Sequence, residues 1–276
     1  MSAGRTAVPA ALSWPAGLPI GDDWVPAPAV RDVRFPYDAS VIAPAPVGDA
    51  ALAAAAVDAA VAARPVVARL STGVRRAVLG DVTARIGRHV DDLVDLLVLE
   101  TGKPRVDCVV EVNRTLLTWS LTAEEPARLH GETVPVDLTP GADGLVGWFT
   151  RRPAGVVVGI AGFNYPLLLA SHKLAPALAA GCPVVVKPAP ATPLTTLWLV
   201  AQVREALAAA GAPVAAAQLV TGDADVGVAL TTDPRVAVVS FTGSAVVGHA
   251  IVVEIARHMI PAPVARQGHD YSSSTA

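Results

Sequence analysis

Three polar residues sit where a ligand could be handled. Asn164 follows the apolar run Gly155–Ile160, Lys187 closes Val184–Val186, and Ser244 follows Val236–Phe241 and opens a helix. Ligands of an open parallel sheet bind at the carboxyl ends of its strands, and such a sheet would bring these three distant residues to one edge. Gly243 and Gly248 flank the start of the last helix. A glycine there lets backbone approach closely, the free N–H groups of the helix start suit a phosphate, and the Ser244 hydroxyl adds a donor. Taken alone, a glycine at a strand-to-helix turn is more often only a turn residue. Lys187, just before Pro188, is poorly placed for packing. Its ammonium could meet a ribose or a phosphate, or simply be solvated at a strand exit.

The elements that must position these residues follow from pattern. From Pro153 onward, strands and helices alternate. Gly155–Ile160, Val184–Val186, Gln218–Val220 and Val236–Phe241 read as strands. Helices are expected over 166–180, over 193–210 with Thr192 as its cap and Pro193 at its first position, over 224–230, and from Ala245 onward. That alternation implies a parallel, doubly wound sheet. Before it, residues 1–47 read as a Pro-rich irregular lead with short extended pieces such as Ser40–Ala43. Helices are predicted over 49–63, over 73–99 as one amphipathic helix carrying Ile86, Val90, Leu93 and Leu97, and over 106–123. Gly102 and Pro104 stop the second. Thr133–Val136 and Leu145–Thr150 form a hairpin with a long turn.

Several stretches together carry a resemblance. Phe163-Asn164-Tyr165-Pro166, Lys173 to Gly181, Val185-Val186-Lys187-Pro188, Thr192-Pro193, and Phe241-Thr242-Gly243-Ser244 with Gly248 are similar, in order and spacing, to the aldehyde dehydrogenase superfamily. Glu100-Thr101-Gly102-Lys103-Pro104 resembles the family's N-terminal helix ending, and the likeness covers roughly residues 20–251. The resemblance implies roles. Asn164 would donate its amide to the oxyanion formed when a thiolate attacks the aldehyde. Lys173 would serve a proton relay, Lys187 would hold the adenosine ribose, and Ser244 the pyrophosphate. Ile160, Ala161, Gly162 and Phe163 would line the nicotinamide path, and Gly227, Phe241, Gly243 and Gly248 complete the cofactor-binding set. From residue type alone, Asn164 is equally a turn residue before Pro166, and Lys173 and His172 are helix-surface residues. The segment around Phe163–Leu167 with His172 resembles the branch that oxidises small polar aldehydes, such as lactaldehyde or phosphonoacetaldehyde.

The chain also departs from the pattern. The family needs a nucleophilic cysteine and a general-base glutamate in a Glu-Leu-Gly-Gly-Lys stretch. The chain has two cysteines, Cys108 in an N-terminal helix and Cys182 at the amino end of a strand, and Glu254 lacks the glycines. Both thiols read as buried structural ones, since neither has the cationic surroundings of a reactive thiolate. Pro190 stands where the family often has a ribose-binding glutamate, so either NAD or NADP fits.

Composition excludes other classes. With 21 Lys+Arg against 24 Asp+Glu the net charge is −3, and no basic stripe suggests nucleic acid or an anionic membrane. No cysteine or histidine cluster suggests a metal. No apolar run of about 18 residues escapes a proline or charge, and no signal peptide is visible, so a cytoplasmic protein is expected. The expected fold class is α/β. It has a helical segment over 1–130, a projecting β-hairpin arm over 131–152, a Rossmann-like NAD(P)-binding region over 153–258 and a disordered tail over 259–276, with the catalytic domain absent. The resemblance implies aldehyde oxidation to a carboxylic acid with NAD(P)+, in a truncated form inactive alone. The expected partners are the nicotinamide cofactor and another copy or a related full-length chain. A non-catalytic nucleotide-binding or regulatory subunit, or half of a split enzyme, is the alternative.

Overall fold

The computed structural model describes residues 7–259. The tail expected over 259–276 lies outside them, apart from Met259. The lead holds two antiparallel pairs, β1 (Leu18–Ile20) with β2 (Asp23–Val25), and β3 (Ala29–Arg34) with β4 (Val41–Val47). Four helices follow: α1 (Ala50–Val67), α2 (Thr72–Arg88), α3 (Val90–Thr101) and α4 (Arg105–Glu124). Asp49 caps α1 by accepting from the Leu52 N–H at 2.9 Å. The single helix expected over 73–99 is two. It breaks at His89 (φ −121°, ψ 25°), although the apolar stripe runs on through Ile86, Leu93 and Leu97, all buried. Gly102, at φ 69°, ends α3 in the left-handed conformation.

An antiparallel pair, β5 (Glu132–Val134) with β6 (Gly147–Phe149), forms the hairpin. Its exposed residues include Leu138, Val146 and Trp148. Beyond it come β7 (Val156–Ile160), α5 (Pro166–Ala179), β8 (Val184–Lys187), α6 (Leu194–Ala209), β9 (Ala217–Leu219), α7 (Ala224–Thr232), β10 (Val236–Phe241) and α8 (Ala245–Met259). The four strands make one parallel sheet in the order β10-β7-β8-β9. The Val-rich runs of β7 and β8, buried along nearly their whole length, suit strands covered on both faces. α5 and α6 lie on one face and α1 and α7 on the other, with α2, α3 and α4 packed outside α5 and α6.

α1 is long and apolar enough by composition to cross a membrane. It also carries Asp58, Arg64 and Pro65, and its Ala53, Ala56, Val57 and Ala60 are buried in the core beside the sheet. Small side chains let that helix approach the strands closely.

The start of α6 corrects one expectation. Thr192 does not cap it. The cap position is Pro193, with no side-chain bond of its own, and the Thr192 hydroxyl is buried without a partner among the described residues. The free N–H groups are served by Glu100 of α3, whose carboxylate accepts from Leu194 N–H, Thr195 N–H (3.2 Å) and the Thr195 hydroxyl (2.7 Å). Burial pushes this carboxyl up to about 7, with those three donors pulling the other way.

Candidate functional site

Register brings three of the sequence-picked residues side by side. Phe241 of β10 pairs with Ile160 of β7, and Ile160 pairs with Lys187 of β8, all at the carboxyl ends. The chain winds from β7 to β8 to β9 on one side and returns to β10 on the other. The strand order therefore reverses between β7 and β10, the place where open sheets part to admit a ligand.

Lys187 is 6% exposed. Burial holds its ammonium below the ordinary lysine range, while Asp223 and Asp225 oppose this through charge alone. A cleft of about 510 Å³ lies beside it, lined by Ile160, Lys187, Pro190, Asp223, Gly227 and the α8 residue Val247, among others. A side chain at Gly227 would stand 3.9 Å from the lysine stem. At the rim, Arg31 Nη1 and Nη2 donate to Asp223 Oδ1 and Oδ2 at 3.0 and 2.8 Å.

Gly243, Ser244 and Gly248 line a second, shallower groove with Phe241. α8 borders both hollows. The two glycines have a packing reason as well as an electrostatic one. A Cβ at Gly243 would meet the Phe241 ring at 2.5 Å, and one at Gly248 at 3.3 Å. Ser244 accepts from Val247 N–H at 3.4 Å, a long cap that leaves other N–H groups of the first turn available.

The turn from β7 into α5 carries the remaining candidates. Ala161 is buried and its N–H donates to the Lys187 carbonyl at 3.0 Å, while Thr242 N–H donates to the Ile160 carbonyl at 3.0 Å. Gly162 fits between the Thr242 carbonyl and the Asn164 side-chain oxygen, 3.2 and 3.3 Å from where a Cβ would sit. Phe163 and Asn164 are exposed. Lys173 is not a helix-surface lysine. It is 8% exposed, and its ammonium donates to Thr242 Oγ1 at 2.7 Å. Burial lowers its pKa. His172, by contrast, is exposed.

The aldehyde dehydrogenase family matches this sequence over residues 24–271. The chain belongs to the aldehyde dehydrogenase family. It is similar to aspartate-semialdehyde dehydrogenase 1 of Pseudomonas canavaninivorans, 41% identical over 64% of this chain and 37% of that one. Among solved structures it is similar to an aldehyde dehydrogenase of Brucella melitensis biovar abortus 2308 (32% identity, TM-score 0.82, covering 91% of this chain and 50% of that chain). It is likewise similar to betaine aldehyde dehydrogenase of Staphylococcus aureus in complex with NAD+ (30% identity, TM-score 0.81, covering 90% and 48%). The chain thus spans about half the length of these structures and 37% of that curated relative.

Sequence reasoning missed the residues that hold the Asn164 turn. Lys103 donates to the Asn164 carbonyl at 2.8 Å, lies 4.0 Å over the Tyr165 ring, and pairs with Glu111. Glu111 in turn accepts from Leu167 and Leu168 N–H at 3.0 and 3.2 Å, capping α5. A signal existed. Cys108, Val112, Thr115 and Trp119 form the buried stripe of α4, and Glu111 is a charge inside it. Both thiols are buried, and burial raises the Cys108 pKa. Among the described residues no cluster of three His, Cys, Asp or Glu could hold a metal.

Proposed function

We propose that this chain provides the nicotinamide-cofactor part of an aldehyde dehydrogenase, oxidising an aldehyde to a carboxylic acid with NAD+ or NADP+. The carrying observation is the buried Lys187 ammonium beside a cleft at the carboxyl ends of β7 and β8. In this reading Lys187 binds the adenosine ribose, Gly227 keeps the cleft open beside it, and Ser244 with Gly243 and Gly248 receives the pyrophosphate. Ile160, Ala161, Gly162, Phe163 and Phe241 border the path toward the nicotinamide. The cofactor, when bound, supplies the hydride acceptor. Asn164 offers an amide to the developing oxyanion, a donor worth about 3–4 kcal/mol of barrier in such sites. Lys173, partly desolvated and hydrogen-bonded to Thr242, holds or passes a proton at its Nζ.

The chain's two cysteines are both buried, and Cys182 precedes β8 at the amino end of the sheet. Neither of these two thiols therefore meets an aldehyde beside Asn164. In this reading the residues at the strand ends bind the cofactor and present Asn164, and neither Cys108 nor Cys182 is the nucleophile. The outer side of β10, unpaired among the described residues, and the exposed α8 valines Val246 and Val252 favour a further packing partner, whether a catalytic one or, in the second reading, one that this chain regulates.

Calorimetric titration of the purified chain with NAD+ and NADP+ tests the reading. Binding is expected. Lys187→Ala should weaken it by about tenfold to a hundredfold, the effect of losing a charge-assisted hydrogen bond, and Ser244→Ala should weaken it less. Equal binding by the wild type and both variants would remove these residues from the site. Aldehyde-dependent NAD(P)H formation that disappears in Cys182→Ala would make Cys182 the nucleophile and overturn its structural reading.

A further inference from the structure

We infer that the Arg31–Asp223 pair sets the choice between NAD+ and NADP+, by the charge it holds at the mouth of the Lys187 cleft. The inference rests on the cofactor reading above and adds the residues that discriminate within it.

The two cofactors differ at one place, a ribose 2′-hydroxyl in one and a 2′-phosphate in the other. A lysine ammonium donates to either, so Lys187 attracts both. Discrimination needs a second charge. Nucleotide-binding sheets use an acidic side chain to accept from the hydroxyl, or an arginine to receive the phosphate. Pro190, on the wall of the cleft, supplies neither.

Both kinds of side chain are nevertheless present, and they occupy each other. Asp223 lines the cleft together with Lys187. It stands at the cap position of α7 without capping it, so its carboxylate is not spent on that helix. Instead both its oxygens face the guanidinium of Arg31, a residue 192 positions earlier on β3. The arginine keeps the carboxylate ionised, holding Asp223 below its ordinary range. The paired guanidinium has two of its donors committed, which leaves it poorly placed to receive a phosphate. A third cleft residue, Glu254, presents a further carboxylate on the α8 side, paired with Arg257 at 3.2 Å. A dianionic 2′-phosphate therefore meets carboxylates, while a hydroxyl meets acceptors. The arrangement favours NAD+, and its preference lies in Asp223 masking Arg31.

That masking makes the test specific. Binding of 5′-AMP and 2′,5′-ADP to the purified chain is measured by calorimetry, with NAD+ and NADP+ alongside. Wild type is expected to bind 5′-AMP about tenfold more tightly than 2′,5′-ADP, a modest ratio because the pair is partly exposed and screened. Asp223→Ala should invert the preference by freeing Arg31. Adding Arg31→Met to it should erase the inversion and leave the two nucleotides nearly equal. Both positions are on the surface, and circular dichroism on each variant confirms the fold. Wild type preferring 2′,5′-ADP, or Asp223→Ala moving both affinities alike, overturns the selector and leaves the cofactor site standing. Failure of wild type to bind any of the four removes the cofactor site, and the selector with it.

Discussion

Glu111 lies wholly inside the protein, and its carboxylate is shared between the Lys103 ammonium and the first turn of α5. One oxygen takes the lysine and the other takes two backbone N–H groups. Lys103 spends a further donor on the Asn164 carbonyl. The turn that presents Asn164 is therefore held from the N-terminal helices. Removing one member of a buried ion pair leaves the other uncompensated, which destabilises by about 3–5 kcal/mol. Lys103→Met should lower stability by about 2–3 kcal/mol, the smaller figure because Glu111 keeps its backbone donors. Urea unfolding measures it, and a change within the fitting error would show the pair to be dispensable.

Glu100 gives a pH dependence of definite sign. Its folded pKa is raised by burial to about 7 from 4.5, so the folded state holds a proton that the unfolded chain releases. The associated stability is fully present below pH 4.5 and is lost as pH rises toward 7. The rise corresponds to about 3 kcal/mol at most. Asp38, Asp223 and Asp233 are shifted downward and act only in more acidic solution. Urea midpoints taken at several pH values should fall from mildly acidic to neutral solution in wild type and fall less steeply in Glu100→Gln, which keeps Glu111, a carboxyl also raised by burial. Parallel curves for the two proteins would assign the effect elsewhere.

Gly159 has no room for a side chain. A Cβ there would lie 2.5 Å from Lys173 Cβ. Gly159→Ala should cost about 1–3 kcal/mol through overpacking and push Lys173 away from Thr242. Thermal unfolding reads the first effect. An unchanged melting temperature would mean that the helix yields freely, and that Lys173 is not pinned where it lies.

β10 stands at the edge of the sheet with Val238 exposed. Unpaired strand edges recruit other chains. The purified chain should self-associate on size exclusion with light scattering, and Val238→Lys should shift it toward monomer. A concentrated wild-type monomer that binds no hydrophobic dye would show that this edge is already closed.

The parallel sheet was legible because Val runs bounded by Gly and Pro have few other meanings, and the polar residues at their ends were legible with it. In the lead the extended piece expected at Ser40–Ala43 marks the start of β4, but β1 and β2, three residues each, and the Pro-bearing rest of β4 carry weak pairing signals. The break at His89 was hidden because the apolar stripe runs through it: Ile86 and Leu93 reach the same core from two helices. Thr192 looked like a cap because its type suits one, whereas the true cap comes from Glu100, far earlier in the chain. Lys173 read as solvated in a linear sequence, yet the neighbouring Gly159 is what opens a space for its stem beneath α5. Partners that meet only through the fold leave no local trace.

The two buried glutamates also order events during synthesis. Glu111 and Glu100 serve helix starts that follow them by 56 and 94 residues, so α3 and α4 leave the ribosome long before the N–H groups they receive. α5 and α6 gain their caps only by docking onto helices already made, which ties both halves into one cooperative unit despite the hairpin between them. A protease nick in the exposed turn near Leu138 would then leave fragments that stay together, held by carboxylates of the first piece at the helix ends of the second.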